Sequence, residues 1–556
     1  MLTLKQNKQL KDLFKPYRKA QLSLCILLSL QIILTAYIPF QIKELINLIT
    51  INEALDLIIK TGLIIVVLTI IGVLIGMLQN YYWHRTRLSS VNYLRLKMFE
   101  SALQKNKVFF DKHTTGEILA KIMDDVVIVA QNLVIGLPML FANVLTLVVV
   151  VFVLFKLSFR LAIICIIILP IYYGVFHFLN KRIRHTSKME RERFSKVMED
   201  AQEKLLGITT IKLFRKHTYI LNKFKITLDG HFNFVSKNAL FNSLGTGLNS
   251  LIMSLLPIII LIYGGYLIKN SLITLGSLIA FYTYLSNIYE PISNLSNFNM
   301  GLQTALGMKD RILNFLNSDL EQDFGTIEIN KFEYLEFKNV SFSYDSDKYI
   351  LDNISFRINR GDKVAFIGNS GGGKSTILSL IARIYRPNSG EIIINGYNLE
   401  DINQHSLYSI IALLDQNPFV FNGSMEENIS LGNTIDSAIL KEVIAASRTS
   451  DLVTDNKSLK EYNITEFGSN LSGGQKQRLC LCRILAKHSQ IIILDEATSA
   501  LDIELENQIV DNLNSFFDKN DKTLITVSHR PSILKICNKV IQIENGALKE
   551  NPPAAS

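Results

Sequence analysis

The chain has 556 residues, 48% hydrophobic and 19% charged, with a formal net charge of +9 and a mean hydropathy of +0.24. Soluble proteins average roughly 25% charged residues, and this apolar content excludes disorder and collagen-like repeats, while only five cysteines exclude a small disulfide scaffold. Up to Leu320 there are 35 Lys+Arg against 18 Asp+Glu, and from Glu321 onward 23 against 31, so a basic apolar part precedes a mildly acidic one. The basic residues accompany no groove-reading or base-stacking motif, which removes nucleic acid as a partner.

Residues 1–19 carry Leu10, Leu13, Phe14 and Tyr17 at helical spacing among lysines. That pattern suits an amphipathic helix on the cytoplasmic face of a lipid bilayer. Six apolar stretches follow: Ala20–Phe40, Thr61–Trp83, Leu133–Phe155, Leu161–Leu179, Leu248–Ile268 and Leu272–Ile292. Each suffices to cross a hydrocarbon core of ~30 Å, which takes ~20 helical residues. The first is longer than a signal-peptide core and lacks a small-residue cleavage site, so it is read as retained.

Lys and Arg alternate between the connections. The N-terminal segment, the link from span 2 to span 3, and the link from span 4 to span 5 are basic, the last with fourteen Lys/Arg from Lys181 to Lys237. The other links are short and poor in Lys and Arg, which predicts that both ends of the first half face the cytoplasm. The long basic links are expected to carry the spans onward as cytoplasmic helices, with a break and restart at Phe109-Phe110-Asp111 and Thr115-Gly116-Glu117. The expected division is an all-α six-span domain at 20–317, a linker at 318–333, a second domain at 334–550 and a ragged tail at 551–556.

In the second half the hydrophobic pattern becomes short and alternating, as in β-strands. After the buried strand Val364–Ile367 comes Gly368-Asn369-Ser370-Gly371-Gly372-Gly373-Lys374-Ser375-Thr376. This is a phosphate-binding loop: glycines let backbone N–H groups turn inward at a helix N-terminus that favours anions. Lys374 would reach the β- and γ-phosphates of a bound nucleotide, and Ser375 would offer a hydroxyl to Mg²⁺. The apolar strand Ile491–Leu494 ends in Asp495-Glu496. Asp495 suits a direct or indirect Mg²⁺ ligand there, and Glu496 a general base or an orienting group for water. Leu471-Ser472-Gly473-Gly474-Gln475 opens a further helix with a second anion-binding end; alone, such a start is commonly only a helix cap.

Taken in this order, the motifs and spans make the sequence resemble an ABC transporter of the exporter type, in the half-transporter layout of six spans and one α/β P-loop ATPase domain. The resemblance covers nearly the whole chain. It implies that Leu471–Gln475 completes the ATP site of a second half-transporter, most simply another copy in a homodimer. It also implies that Tyr344 stacks on adenine, that Gln416 contacts Mg²⁺ and relays domain motion, that Asp502 lies at the dimer interface, and that His529 senses the γ-phosphate. The run Phe109–Val126 looks like a coupling region. Ser469 departs from the pattern, standing where many exporters have a glutamate, and no peptidase-like domain precedes the first span.

The resemblance further implies an integral protein of the bacterial plasma (inner) membrane, with cytoplasmic termini and ATP-driven alternating access. An importer or a nucleotide-gated channel are the alternatives on this scaffold. Gln31, Thr35, Asn143 and Thr146 are uncharged polar residues in spans without a charged cluster. They point either to an amphipathic or hydrophobic cargo (a peptide, lipid or drug-like molecule) or simply to hydrogen bonds between helices.

Overall fold

The computed structural model describes residues 14–317, 325–344, 349–369, 371–452 and 459–549. Leu10, Leu13, Ser370, residues 318–324 of the expected linker and the tail lie outside the described residues. The chain divides into two compact units, one formed by Met1–Leu103 with Thr115–Ser318 and the other by Gln104–Thr114 with Asp319–Ser556.

The first unit is helical. Arg18–Thr50, Leu55–Leu103, Thr115–Leu157, Phe159–Leu206, His217–Lys269 and Leu275–Asn317 are its long helical runs. The 49-residue helix Leu55–Leu103 is ~75 Å long at ~1.5 Å per residue, more than twice the ~30 Å hydrocarbon core. Lys15–Thr50, Leu55–Leu103 and Thr115–Leu157 meet the length and apolarity of a membrane span over the described residues, and Ser254–Lys269, the end of His217–Lys269, is a shorter apolar stretch.

The last apolar stretch, Leu272–Ile292, lies mostly within a longer helix, Leu275–Asn317. Its start shifts to Leu275, because the Thr274 hydroxyl accepts from the Ser277 N–H at 3.1 Å and acts as an N-cap. It then runs through Pro291 to Asn317 rather than ending beside the proline. Along Thr115–Leu157, π-helical turns interrupt the α-helix at Lys121–Asp125 and Ala130–Ile135. Such turns occur where a helix departs from regular packing. The helices lock through a few buried polar contacts, including Tyr284 donating to the Ala36 carbonyl and Gln21 Nε2 donating to the Val134 carbonyl at 2.8 Å.

The second unit begins with a short helix, Lys107–Lys112, capped by the Asn106 side chain, which accepts from the Phe109 N–H. Twelve strands follow among the described residues. They are β1 (Tyr334–Phe342), β2 (Leu351–Asn359), β3 (Lys363–Ile367), β4 (Ser389–Ile394), β5 (Tyr397–Asn398), β6 (Ile411–Leu414), β7 (Gly423–Ser424), β8 (Asn463–Ile464), β9 (Ile491–Asp495), β10 (Thr523–Val527), β11 (Lys539–Glu544) and β12 (Ala547–Leu548).

Strands β2-β1-β4-β5 form an antiparallel sheet, and β12-β11-β3-β10-β9-β6 form a second sheet, parallel from β11 to β6. The unbroken apolar run of β9 is explained by the two cores it serves. Ile491 and Ile493 pack with Val364, Phe366 and Ile377 on one face, while Ile492 and Leu494 pack with Leu479 and Leu485 on the other. A strand buried on both faces has no polar positions to alternate.

Candidate functional site

The parallel sheet sends four loops from one edge. Leu414 pairs with Leu494, Asp495 with Val527, and Val527 with Phe366, so the carboxyl ends of β6, β9, β10 and β3 lie side by side. This edge is where doubly wound sheets hold ligands, and the sequence motifs emerge from it.

After β3, the loop turns through glycines in left-handed conformations. Gly368 has φ +146°, and a Cβ there would lie 2.0 Å from the Ile543 carbonyl oxygen; Gly373 has φ +94°, and its Cβ would lie 2.6 Å from Leu351. Both the backbone angle and the space therefore demand glycine. The helix Lys374–Ile381 starts directly from Gly373. Buried Lys374 curls back so that Nζ donates to the carbonyls of Gly368 and Asn369, each at 2.8 Å. An ammonium held across its own loop suits a polyphosphate bound in the same curl.

At the end of β9, buried Asp495 has an Oδ1 without a hydrogen-bond partner. Burial pushes its carboxyl above the usual range; the nearby Ser375 hydroxyl pulls it down, while Asp415 and Glu496 add to the rise. Glu496 adopts φ +47°, a left-handed conformation costly for a side-chain-bearing residue and found at sites where geometry is imposed. Its N–H donates to the Val527 carbonyl at 3.0 Å, and Gln416 Nε2 donates to Glu496 Oε2 at 2.9 Å. Residues 80 apart in sequence thus meet at one carboxylate. His529, exposed after β10, sits on the same edge.

The helix Gly473–Ala486 begins with a capping box: Ser472 Oγ accepts from the Gln475 N–H at 3.2 Å, and Gln475 Oε1 accepts from the Ser472 N–H at 2.7 Å. Among the described residues, none of its hydrogen bonds reaches the phosphate loop. It packs instead on the segment leading to Asp502: a Cβ on Gly474 would lie 2.9 Å from the Ala500 carbonyl. Asp502 Oδ1 caps the helix Ile503–Lys519 by accepting from the Leu505 N–H. Ser469 bonds Thr465 through their hydroxyls at 2.9 Å.

Sequence reasoning missed three side chains here. Gln477 accepts from the Ala500 N–H at 3.0 Å and donates to Ser499 Oγ at 3.1 Å, tying the capped helix to the Asp502 segment. Glu506 is buried between the Asp502 and His529 segments. Tyr385 packs edge-on to Tyr344 at 5.0 Å and donates its hydroxyl to Asp111 Oδ2 at 2.5 Å. Burial first, and then that carboxylate, raise the Tyr385 pKa far above its ordinary value. Tyr344 is half-exposed, its hydroxyl 3.2 Å from Thr376 Oγ1, so its ring stands beside the helix that follows the phosphate loop. A cavity of about 790 Å³ opens there, lined by Lys107, Asp111, Tyr344, Tyr385 and Tyr408 among others. No local motif marks any of these pairings, since their partners are distant in sequence.

Residues 22–292 match the model of the ABC transporter transmembrane region, and residues 351–499 match the model described as ABC transporter. A Bacillus subtilis (strain 168) protein named "Putative multidrug export ATP-binding/permease protein" is 30% identical over 478 residues, covering 84% of this chain and 82% of its own. The chain belongs to the ABC transporter family. As an ABC transporter of the exporter type it is an integral membrane half-transporter, an ATP-binding dimer-forming chain that couples ATP hydrolysis to transport.

Another ABC relative, an ATP-dependent lipid A-core flippase of Syntrophus aciditrophicus (strain SB), is 28% identical over 463 residues, covering 82% of this chain and 76% of its own. The structure of a bacterial Atm1-family ABC exporter with ATP bound superposes with a TM-score of 0.79 at 23% identity, over 96% of this chain and 94% of the other, which establishes the shared fold.

The site fits a hard cation carried with the nucleotide. Asp495 keeps a buried, unpartnered carboxylate oxygen beside the Ser375 hydroxyl, an all-oxygen set of the kind Mg²⁺ takes. Of the polar span residues, Thr35 and Thr146 bond carbonyls of their own helices, Gln31 and Ala142, each at 2.9 Å. Asn143 donates to the Met139 carbonyl at 2.8 Å and accepts from Asn294 Nδ2 at 3.4 Å. Gln31 Oε1 is buried without a partner.

Proposed function

We propose that this chain works as a homodimer in the bacterial plasma (inner) membrane, termini in the cytoplasm, and exports an amphipathic or hydrophobic molecule. The domain limits are 20–317 for the spans, 318–333 for the linker and 334–550 for the ATPase. The cargo reading rests on span hydroxyls satisfied by their own helices and on the absence of a charged cluster among the span residues named above. The names of its relatives, one for multidrug export and one for lipid A-core flipping, agree with that class.

The proposed ATP site is built as follows. Gly368, Asn369, Ser370, Gly371, Gly372, Gly373 and Thr376 wrap the phosphates, Lys374 neutralises the β- and γ-phosphates, and Tyr344 stacks on adenine. Leu471, Ser472, Gly473, Gly474 and Gln475 face the nucleotide of the partner chain, and Asp502 lies at the interface between them. Reciprocity between loop and signature is what a two-fold dimer provides. Ser375, Gln416 and Asp495 would hold Mg²⁺, which when bound offsets charge on the transferring phosphoryl group.

Hydrolysis needs water aligned on the γ-phosphorus. Glu496 orients it and takes its proton as the bond to the ADP oxygen breaks, while His529 contacts the γ-phosphate. The observation that carries this reading is the Glu496 carboxylate, held in a left-handed turn at the phosphate-loop edge and fixed by Gln416. When the bridging γ-phosphate is lost, the two ATPase domains lose a shared ligand and the closed state loses its stabilisation. The test is steady-state hydrolysis by this chain purified alone. It should turn over ATP by itself, and Glu496→Gln should lower kcat by about 10²–10⁴-fold while retaining bound ATP. No hydrolysis by the wild-type chain alone would remove the homodimer, and normal hydrolysis by Glu496→Gln would remove the assignment of Glu496.

A further inference from the structure

The segment carrying His529 is anchored by a carboxylate that the reaction itself does not use. Glu506 is 2% exposed. Its Oε1 accepts from Thr498 Oγ1 at 3.0 Å and from Ser532 Oγ at 2.6 Å, and its Oε2 accepts from Arg530 Nη1 at 3.0 Å. Thr498 precedes the Asp502 loop, whereas Arg530 and Ser532 flank His529 closely. The same Arg530 donates through Nη2 to the Ser499 carbonyl at 2.9 Å, so the two segments are joined twice.

The backbone on either side of His529 is held between these ties. The Arg530 N–H donates to Ser528 Oγ at 3.0 Å, and Pro531 starts the next helix with its backbone angle fixed. Glu506 is itself fixed from below, because its N–H donates to the Asp502 carbonyl at 2.9 Å in the first turn of Ile503–Lys519. Packing alone does not call for this arrangement. A buried carboxylate is costly to desolvate, and an apolar side chain fills such a space at least as well. These side-chain contacts go to Thr498, Arg530 and Ser532, in the Asp502 segment and the segment around His529, and none to the sheet core.

We propose that Glu506 is the positioning residue that holds His529 in register with the γ-phosphate by fastening its segment to the Asp502 segment. The proposal rests on the assignment of His529 given above. Displacing a contact by ~1 Å costs as much as about 10²-fold in rate, which sets the scale of the expected effect.

The experiment is ATPase kinetics of the full chain in proteoliposomes for Glu506→Gln, His529→Ala and the double variant. Glu506→Gln should lower kcat by about 10- to 100-fold with the KM for ATP within about twofold of wild type, as expected when only transition-state contacts are lost. The double variant should be no slower than His529→Ala, because both changes remove one contribution. Full turnover by Glu506→Gln, or losses that multiply in the double variant, would overturn the proposal. If Glu506→Gln does not fold, Ser532→Ala removes a single contact and should still lower kcat at constant KM; an unchanged kcat overturns the proposal equally. Wild-type turnover by His529→Ala would instead remove the assignment of His529, an outcome distinct from a slow His529→Ala beside a fully active Glu506→Gln.

Discussion

Asp495→Asn should stabilise the protein without nucleotide while abolishing its response to nucleotide. In the structure this carboxylate is buried at the end of β9, one oxygen has no partner, and two further acids, Asp415 and Glu496, stand close. Burying a charge without full partners costs more than burying a neutral polar group of the same shape, so an amide keeps the shape and removes the repulsion from the two acids. Taking about 1 kcal/mol, the melting temperature should rise by about 2–4 °C for a domain of this size.

The pH dependence has a definite sign. Because burial holds the Asp495 carboxyl above its ordinary value, the folded protein is disfavoured as pH rises from that ordinary value through the raised one. The wild type is therefore at its full disadvantage near neutrality, and the gap to Asp495→Asn should close in acid as the carboxyl protonates. Mg-ATP at ~100 times its Kd adds about 2.7 kcal/mol to a protein that binds it only when folded, so the order of the two proteins should reverse. The assay is thermal melting of the full chain in EDTA and in Mg-ATP across pH. A lower melting temperature for Asp495→Asn in EDTA, or equal gains from Mg-ATP, would refute the reasoning.

Tyr344→Ala should raise the KM for ATP about 5- to 150-fold, since base–aromatic stacking contributes ~1–3 kcal/mol; Tyr344→Phe, which loses only the hydroxyl contact to Thr376, should stay near wild type in the same titration. Tyr385→Phe removes the hydrogen bond to Asp111, worth about 1 kcal/mol at an exposed carboxylate. Cargo moved per ATP should fall while basal hydrolysis persists, and paired transport and hydrolysis measurements check this. Ser472→Ala breaks the capping box at the signature helix and should cost about 1 kcal/mol by thermal melting, with Ser472→Asp or Ser472→Asn largely restoring it.

What could be read from the sequence was local. The loop Gly368–Thr376 and the pair Asp495-Glu496 announce themselves because a strand, a turn and a helix start must follow one another within a few residues. The helix restart at Thr115 was legible for the same reason, but Phe109-Phe110-Asp111, expected as the break, lies inside the helix Lys107–Lys112, and the breaks fall on either side of it. The extent of the last helix was not legible. Pro291 marks a boundary by local rules, yet a proline inside a membrane helix is tolerated when neighbours re-satisfy the freed backbone group. Gln416 could be named only through the family resemblance, and its bond to Glu496 spans 80 residues. Glu506, Gln477 and the Tyr385–Asp111 pair were invisible, because their meaning lies in partners that only folding assembles.

The most direct test of an ATP-driven exporter of amphipathic or hydrophobic cargo is uptake into inside-out proteoliposomes holding this chain alone. A panel of fluorescent lipids, apolar peptides and drug-like dyes should include at least one that accumulates with Mg-ATP, and that accumulation should vanish with Glu496→Gln. Accumulation that persists in Glu496→Gln, or ATP-dependent loss of cargo from the vesicle lumen, would contradict it.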